Sequence, residues 1–303
     1  MRVCIFLIID GLKLEAQACL LLPSLRRHLG DTVSVIAYRR KDVTTPLQPV
    51  TEQVLRACNV KLREIPGTGP DDPNPWREPY PIGNKILAAS DRRDCDISVF
   101  IDTDMVFTGP FDFAKVLGSA KIAAVVSDYS TMSNDEEGWT AFYGHFGLPL
   151  PEQRVTLLKG RELTSLPYFN AGMIMFRETI GPQKRRFGAE WLADTLRFDH
   201  EVSYPYIRAN LDQLTLPITA TRLGYPVKPV PNTFNHNLQG HGDPVETNPS
   251  LLHYHTFGVL WSHEARGRAA LEDLQNILEG QSLESFYDSF MAVLKRKRLK
   301  KLM

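Results

Sequence analysis

A short apolar strand that runs into two acidic residues is the feature that most restricts the fold of this chain. Residues 97–101 read Ile-Ser-Val-Phe-Ile, and Asp102 and Asp104 follow. Such a run predicts a strand covered on both faces, as in a parallel sheet. Residues two apart on an extended segment point the same way, so both carboxylates are expected at the carboxyl edge of the sheet, where ligands of α/β folds bind. Two hard oxygen donors there indicate a site for a divalent cation that carries a diphosphate; a plain turn is the alternative.

Strand and helix patterns alternate along the chain, which predicts a doubly wound parallel α/β sheet. Gly30 fits a helix stop and Thr51 a helix N-cap. Residues 131–165 lack strong periodicity and are expected to form either a lid that closes over the donor or an excursion with short helices of its own. The predicted strands cover 3–9, 32–38, 62–65, 97–101, 121–126, 168–176, 227–230 and 251–255, and the predicted helices cover 14–29, 51–58, 82–90, 185–198 and 282–302.

Composition excludes several classes of protein. Lys plus Arg and Asp plus Glu both number 35 in 303 residues, so global charge gives no reason to expect nucleic acid as a partner. The cysteines form no C-x-x-C pair, which argues against a zinc ribbon or a disulfide framework and for reduced thiols in a cytoplasmic protein. No run approaches the ~20 apolar residues that cross a bilayer, and the first apolar run is short for a signal peptide.

Five motifs resemble, in order, those of nucleotide-sugar glycosyltransferases with the GT-A fold, nearest to glycosyltransferase family 8, which includes glycogenin-like enzymes and bacterial lipo-oligosaccharide galactosyltransferases. The motifs are Ile8-Ile9-Asp10, FIDTDMVF at 100–107, YFNAGMIMF at 168–176, Leu211-Asp212-Gln213-Leu214 and LLHYHTFG at 251–258. The last motif departs from the family pattern. Gly258 lies five residues after His253 and three after His255, and the Lys-Pro pair that precedes Trp261 in the family is missing.

The resemblance implies a fold and an activity. The fold is the α/β GT-A type, with a mostly parallel Rossmann-like central sheet flanked by helices and a mixed sheet in the C-terminal half. A catalytic domain over 1–265, divided into a nucleotide-binding half (1–104) and a sugar and acceptor half (105–265), would precede a helical extension over 266–303. The activity is metal-dependent transfer of a sugar, with retention, from a UDP-sugar to a hydroxyl of a glycan, glycolipid or protein acceptor.

The resemblance also assigns the nucleotide and metal ligands. Asp102, Asp104 and either His253 or His255 would hold Mn²⁺ or Mg²⁺, and a histidine ligand favours Mn²⁺ because Mg²⁺ prefers oxygen. The other histidine would then belong to the core. Asp10 would read the uracil, with a strand-ending turn as the alternative.

The remaining assignments concern the donor ribose, phosphate and sugar. Lys85 would reach ribose or phosphate, unless it is an ordinary solvated helix lysine. Asp128 would bind sugar hydroxyls. Asn170 and Gly172 would let a strand pass close to the sugar, with a strand bend as the alternative. Asp212 and Gln213 would flank the anomeric carbon, unless Asp212 only caps a helix. Asn235 is a weaker candidate and is interpreted as a turn residue.

A basic tail, Lys295–Lys301, follows an aromatic-rich helical pattern. This arrangement is typical of peripheral contact with an anionic membrane, and a packed helix with a solvated basic end is the alternative. Two other functions also remain open. One is a sugar-phosphate nucleotidyltransferase, although the segment from Asp10 to Lys13 lacks the G-x-G-T-R loop of that class. The other is an inactive glycosyltransferase-like scaffold.

Overall fold

The computed structural model describes residues 1–132, 135–159, 164–242, 248–278 and 283–294. Its strands are β1 (Val3–Ile8), β2 (Ser34–Arg40), β3 (Val60–Ile65), β4 (Ile97–Ile101), β5 (Met105–Phe107), β6 (Ile122–Val126), β7 (Val155–Thr156), β8 (Thr164–Ser165), β9 (Phe169–Arg177), β10 (Lys228–Val230), β11 (His236–Asn237) and β12 (Leu251–His253). Its α-helices are α1 (Leu12–Leu29), α2 (Pro49–Ala57), α3 (Asn84–Ser90), α4 (Phe113–Leu117), α5 (Glu136–His145), α6 (Phe187–Glu201), α7 (Leu211–Arg222), α8 (Leu238–His241), α9 (Phe257–Ser262), α10 (Glu264–Ile277) and α11 (Glu284–Phe290).

The central sheet has the strand order β10-β6-β9-β4-β1-β2-β3, and helices flank it. β10 pairs with β6 in parallel, whereas β6 and β9 are antiparallel. A smaller sheet has the order β11-β12-β5. The predicted α/β class, with a mostly parallel central sheet and mixed pairing later in the chain, is confirmed. None of the described helices is long and apolar enough to span a bilayer.

Two compact units divide the chain, and each is assembled from separated stretches. The first unit contains Met1–Cys4, Ile65–Phe100 and Phe113–Asn232. The second unit contains Ile5–Glu64, Ile101–Asp112 and the chain from Thr233 onward. The domain boundaries expected from the sequence, at 104/105 and 265/266, stay predictions.

A buried arginine organises part of the first unit. The Arg93 guanidinium donates to the last-turn carbonyls of α3, at 2.7 Å from Ala88 O and 2.9 Å from Ala89 O. It also lies 2.7 Å from Ser98 Oγ in β4 and 2.9 Å from Glu178 Oε1 just after β9. Helix ends leave carbonyls without intrahelical partners, and Arg93 satisfies two of them while neutralising a buried carboxylate.

In the second unit, helix α1 is hydrogen-bonded to the segment 103–107, which contains Asp104 and β5. The Phe107 backbone N–H donates to Ser24 Oγ at 3.0 Å, and the Thr103 hydroxyl donates to Gln17 Oε1 at 3.0 Å. The predicted stop of α1 at Gly30 is confirmed, since Gly30 has a φ of 57° and its N–H donates to Arg26 O at 2.9 Å. Glycine adopts this positive φ without the cost that a side chain adds.

Three local expectations are corrected. Helix α2 begins at Pro49 after Gln48, so Thr51 is not the N-cap; its hydroxyl donates instead to the buried Glu15 carboxylate at 3.0 Å, which needs donors. Residues 103–104 form a turn between β4 and β5, so Asp102 and Asp104 are not on one extended segment. The predicted helix over 282–302 is shorter among the described residues, because α11 ends at Phe290 and residues 295–303 lie outside them.

Candidate active site

Antiparallel pairing of β5 with β12 places Asp104 beside a histidine that is remote in sequence. Met105 is opposite His253 in this pairing, and the Tyr254 backbone N–H donates to Asp104 O at 3.0 Å. The hydrogen bonding between these two segments thus extends beyond β5 to Asp104, the residue that precedes the strand. The position of Asp104 relative to His253 is therefore set by backbone pairing within the second unit.

One carboxylate and two imidazoles meet there. His253 Nε2 lies 3.2 Å from Asp104 Oδ1. The ring centroids of His253 and His255 are 3.8 Å apart. β12 ends at His253, so the two histidines do not share a strand face as expected; His255 instead has a φ of 56°, and this turn in the backbone brings its ring back onto His253.

These three side chains form a group whose potential ligand atoms all lie within 4.8 Å of one another, the one such group of His, Cys, Asp and Glu among the described residues. Burial alone would raise the pKa of Asp104, but His253, His255 and the nearby Lys13 outweigh that effect and lower the pKa. The carboxylate is thus ionised at neutral pH. An anionic oxygen with two imidazole nitrogens fits a divalent transition-metal ion such as Mn²⁺ better than Mg²⁺. The half-buried Asp102 is not a member of this group.

An asparagine supports His253 from the other side of its ring. Asn235 Oδ1 lies 3.0 Å from His253 Nδ1, and both residues are 4% exposed. Asn235 directly precedes β11, which pairs in parallel with β12. The sequence interpretation of Asn235 as a turn residue missed this contact, because no local pattern links residues so far apart.

Asp10 follows the end of β1 and is paired with an arginine from β2. Arg40 Nε lies 4.0 Å from Asp10 Oδ2, and the same guanidinium binds the Asp42 carboxylate, with Nε 2.8 Å from Oδ1. Burial raises the pKa of Asp10, and the positive charge of Arg40 opposes that rise. A partly buried carboxylate at the end of the first strand can accept a hydrogen bond from a nucleobase N–H.

In the first unit, Lys85 and Asp212 form a buried ion pair. Lys85 Nζ lies 3.1 Å from Asp212 Oδ2 and donates to Ala171 O in β9 at 3.2 Å. The Tyr80 hydroxyl accepts from the Asp212 backbone N–H at 3.3 Å. Lys85 is therefore not a solvated helix lysine, and the Asp212 side chain pairs with a cation rather than capping α7. Burial and the Asp212 charge raise the pKa of Tyr80.

The other predicted residues of the first unit are Asn170, Gly172, Gln213 and Asp128. Asn170 Oδ1 accepts from the Gly172 backbone N–H at 2.8 Å. These two residues flank Ala171, whose carbonyl accepts from Lys85. Gln213 Oε1 accepts from the Ser127 hydroxyl at 3.5 Å. Asp128 follows β6 and is half-buried.

Solved glycosyltransferase structures have a similar fold at low sequence identity. The galactosyltransferase LgtC in complex with donor and acceptor sugar analogs has 15% identity and a TM-score of 0.53, over 94% of this chain and 99% of that chain. Mouse xyloside xylosyltransferase 1 in its apo form has 14% identity and a TM-score of 0.51, over 84% and 98%. The apo bifunctional glycosyltransferase WbbM has 16% identity and a TM-score of 0.57; 96% of this chain matches 52% of WbbM, about half of its length.

The central sheet and these structural neighbours show that the chain has the GT-A fold. The chain belongs to the family described as the Rhodobacterales glycosyltransferase domain, whose model matches residues 5–224. A comparison with curated protein sequences finds no match. The predicted class, a glycosyltransferase, is thereby confirmed in preference to the nucleotidyltransferase.

Proposed function

We propose that this glycosyltransferase moves a sugar from a UDP-linked donor to a hydroxyl of a glycan, glycolipid or protein, with a divalent metal ion and with retention. The observation that carries the proposal is the group formed by Asp104, His253 and His255, whose ligand atoms lie within 4.8 Å of one another. A carboxylate beside two imidazoles offers the oxygen and nitrogen donors that a divalent ion takes, which supports a metal site over a core histidine contact.

Asp104, His253 and His255 would hold the ion, with Asp102 as a further oxygen ligand. When bound, Mn²⁺ (or Mg²⁺) would stabilise negative charge on the diphosphate leaving group. The family motif lysine is missing, and Lys13 in the first turn of α1 is close enough to lower the pKa of Asp104. Lys13 is therefore a source of positive charge for the phosphates.

Uracil recognition is assigned to Asp10, held by Arg40. In the first unit, the sugar-directed roles are assigned to one set of polar groups. Lys85 and Asp212 hold each other in fixed positions, so neither needs to reorient when a hydroxyl is bound. The set consists of Asp128, Asn170, Gly172, Asp212 and Gln213, while Lys85 is assigned to the ribose or phosphate of the donor.

We also propose a cytoplasmic enzyme that reaches membrane-borne acceptors through its tail, Lys295–Lys301. These residues lie outside the described part of the chain. The support is the sequence: a cluster of six basic side chains over this stretch suits an anionic lipid surface.

The test is a donor screen on the whole protein. UDP-, GDP- and CMP-sugars would be incubated with Mn²⁺, Mg²⁺ or a chelator, and hydrolysis of the donor would be followed in the absence of acceptor. We expect hydrolysis only of a UDP-sugar, only with metal, and faster with Mn²⁺.

Asp104→Ala should abolish this hydrolysis while the protein stays folded. Asp31→Ala is the matched control, because Asp31 lies in the same unit with its side chain 84% exposed. Turnover that persists in the chelator, or an Asp104→Ala variant with unchanged metal-dependent UDP binding, would contradict the proposal.

A further inference from the structure

The two ring nitrogens of His253 have different partners. Nε2 faces Asp104 Oδ1 at 3.2 Å, and Nδ1 faces Asn235 Oδ1 at 3.0 Å. A side-chain amide oxygen only accepts hydrogen bonds, so the nitrogen that faces it must carry a proton. The ionised Asp104 carboxylate is also only an acceptor, so without an ion Nε2 would hold a proton toward it; a bound metal ion would replace that proton and take the Nε2 lone pair. That nitrogen is on the side of the carboxylate.

We propose that Asn235 is a positioning residue that selects the metal-binding nitrogen of His253. It accepts the proton on Nδ1 and holds the ring so that Nε2 faces Asp104, where the ion would replace the Nε2 proton. This inference rests on the proposed function, since it concerns a metal ion bound by Asp104, His253 and His255. A histidine ligand whose other nitrogen is held in this way keeps its orientation and is more basic.

The backbone on both sides of Asn235 holds it in place. Asn237 is opposite His253 in the parallel pairing of β11 with β12, and His236 is opposite Leu252. On the other side, the Phe234 ring packs against Phe111, with centroids 4.5 Å apart. The backbone at Asn235 is thus held by the strand that follows it and by the ring that precedes it.

The contact between Asn235 and His253 is buried, so its loss is not easily compensated by water. Asn235 and His253 are each 4% exposed, so water cannot readily replace the amide oxygen. Without that acceptor, the Nδ1 proton of a metal-bound ring would be buried without its partner, so the ring would turn away or keep its remaining proton on Nε2 in competition with the ion. Loss of such a supporting partner weakens metal binding by about 10–100-fold.

The first experiment measures metal affinity directly. The whole protein would be freed of metal and titrated with Mn²⁺ and Co²⁺ by calorimetry, and the Co²⁺ absorption spectrum would be recorded. We expect Asn235→Leu, which has a similar shape but no acceptor, to lose about 10–100-fold in affinity and to change the Co²⁺ spectrum. Asn235→Asp keeps an acceptor and should stay within about threefold of the wild type, a margin small beside that loss.

Asn237→Ala is the matched control. Asn237 lies two residues further on, and its Oδ1 accepts from the Gly240 N–H at 2.9 Å, whereas the amide oxygen that faces His253 Nδ1 is that of Asn235. It should reduce stability with no change in metal affinity. Asn235→Ala serves in the same titration if the leucine variant does not fold.

A second readout follows the Nδ1 proton itself. Nitrogen-15 and proton spectra of the histidine rings, with His253→Gln to assign the signal, show whether Nδ1 is protonated and whether a hydrogen bond protects its proton from exchange. The wild type should show a protonated and protected Nδ1, both metal-free and with Zn²⁺ bound, and Asn235→Leu should lose the protection. If the wild type binds no metal, the proposed metal centre fails, but the metal-free spectra still test the contact with Asn235. Unchanged metal affinity together with unchanged protection of the Nδ1 proton in Asn235→Leu would overturn the inference.

Discussion

Lys85 Nζ lies 3.1 Å from Asp212 Oδ2 in the interior of the first unit. Lys85 is 8% exposed and Asp212 is 2% exposed. The Lys85 ammonium also donates to the Ala171 carbonyl of β9 and lies 5.0 Å from the centre of the Phe100 ring. A single cation therefore links α3, α7 and β9. The sequence alone indicated separate roles for Lys85 and Asp212, whereas the structure joins them in one ion pair.

Removal of the lysine alone should be costly. Lys85→Met leaves the Asp212 carboxylate buried without its cation, and breaking a buried pair in this way costs about 3–5 kcal/mol. Lys85→Met combined with Asp212→Leu removes both charges and should recover much of that loss. Urea unfolding of both variants measures the difference. Equal stability of the single and double variants would show that the pair contributes no coupling.

The close approach of α6 to α3 predicts a strong glycine effect. A Cβ at Gly188 would lie 1.9 Å from the Ala89 carbonyl oxygen, which is backbone and cannot move aside easily. Gly188→Ala should cost at least about 3 kcal/mol, the upper end of overpacking effects. Gly144→Ala in α5 is the control, because nothing lies within 4 Å of its Cβ. Alanine there should stabilise the protein by about 0.5–1 kcal/mol. Thermal unfolding that ranks the two variants in the opposite order would contradict the packing.

Asp199 should make the protein sensitive to acid. Burial alone would raise the pKa of Asp199, but the Arg208 guanidinium, at 2.8 and 2.9 Å, and the Arg77 backbone N–H outweigh it and lower the pKa. A lowered pKa in the folded state means that the stability contribution is present above the unfolded value of about 3.9 and is lost as the pH falls through the folded value.

The comparison of wild type with Asp199→Asn tests this assignment. The difference in unfolding free energy should be largest near neutral pH and should shrink below about pH 3.9. Chemical unfolding across the acidic range measures it. A difference that stays constant with pH would mean that the contribution of Asp199 is not ionic.

Asp10 should determine the choice of nucleobase. If its carboxylate accepts the uracil N–H, Asp10→Ala should weaken uridine and UDP binding by about tenfold or more, since hydrogen bonds to charged groups are worth about 1.5–3 kcal/mol. Calorimetry with uridine isolates the base from the phosphates. Asp42→Ala retains Asp10 and should have a smaller effect. Uridine affinity that is equal in Asp10→Ala and wild type would remove Asp10 from the site.

The basic tail can be removed without disturbing the last described contact. Trp261 Nε1 donates to Leu294 O at 2.9 Å, so truncation after Leu294 leaves that bond intact. The shortened protein should lose binding to anionic vesicles, at about 1 kcal/mol per basic residue near the surface, and should keep donor hydrolysis. Vesicle sedimentation at two salt concentrations measures the loss. Unchanged binding would place the contact elsewhere, and unfolding would make the tail a structural cap.

Local pattern in the sequence determined the elements of the fold. The apolar run at 97–101, the helix that stops at Gly30 and the alternation of strands with helices follow from hydrogen bonds and apolar periodicities that act within one segment. The resemblance of short motifs then selected Asp104, His253, Lys85 and Asp212 as candidates.

Tertiary structure alone decided which of these residues meet. The contact of Asp104 with His253 depends on the pairing of β5 with β12, and the burial of Lys85 depends on the packing of α3 against its neighbours. Asn235 has a supporting role only because β11 pairs beside β12. Such long-range pairings depend on the chain as a whole. A local pattern shows that a strand exists but not which distant strand lies beside it, because register and partner are set by the packing of all the elements at once.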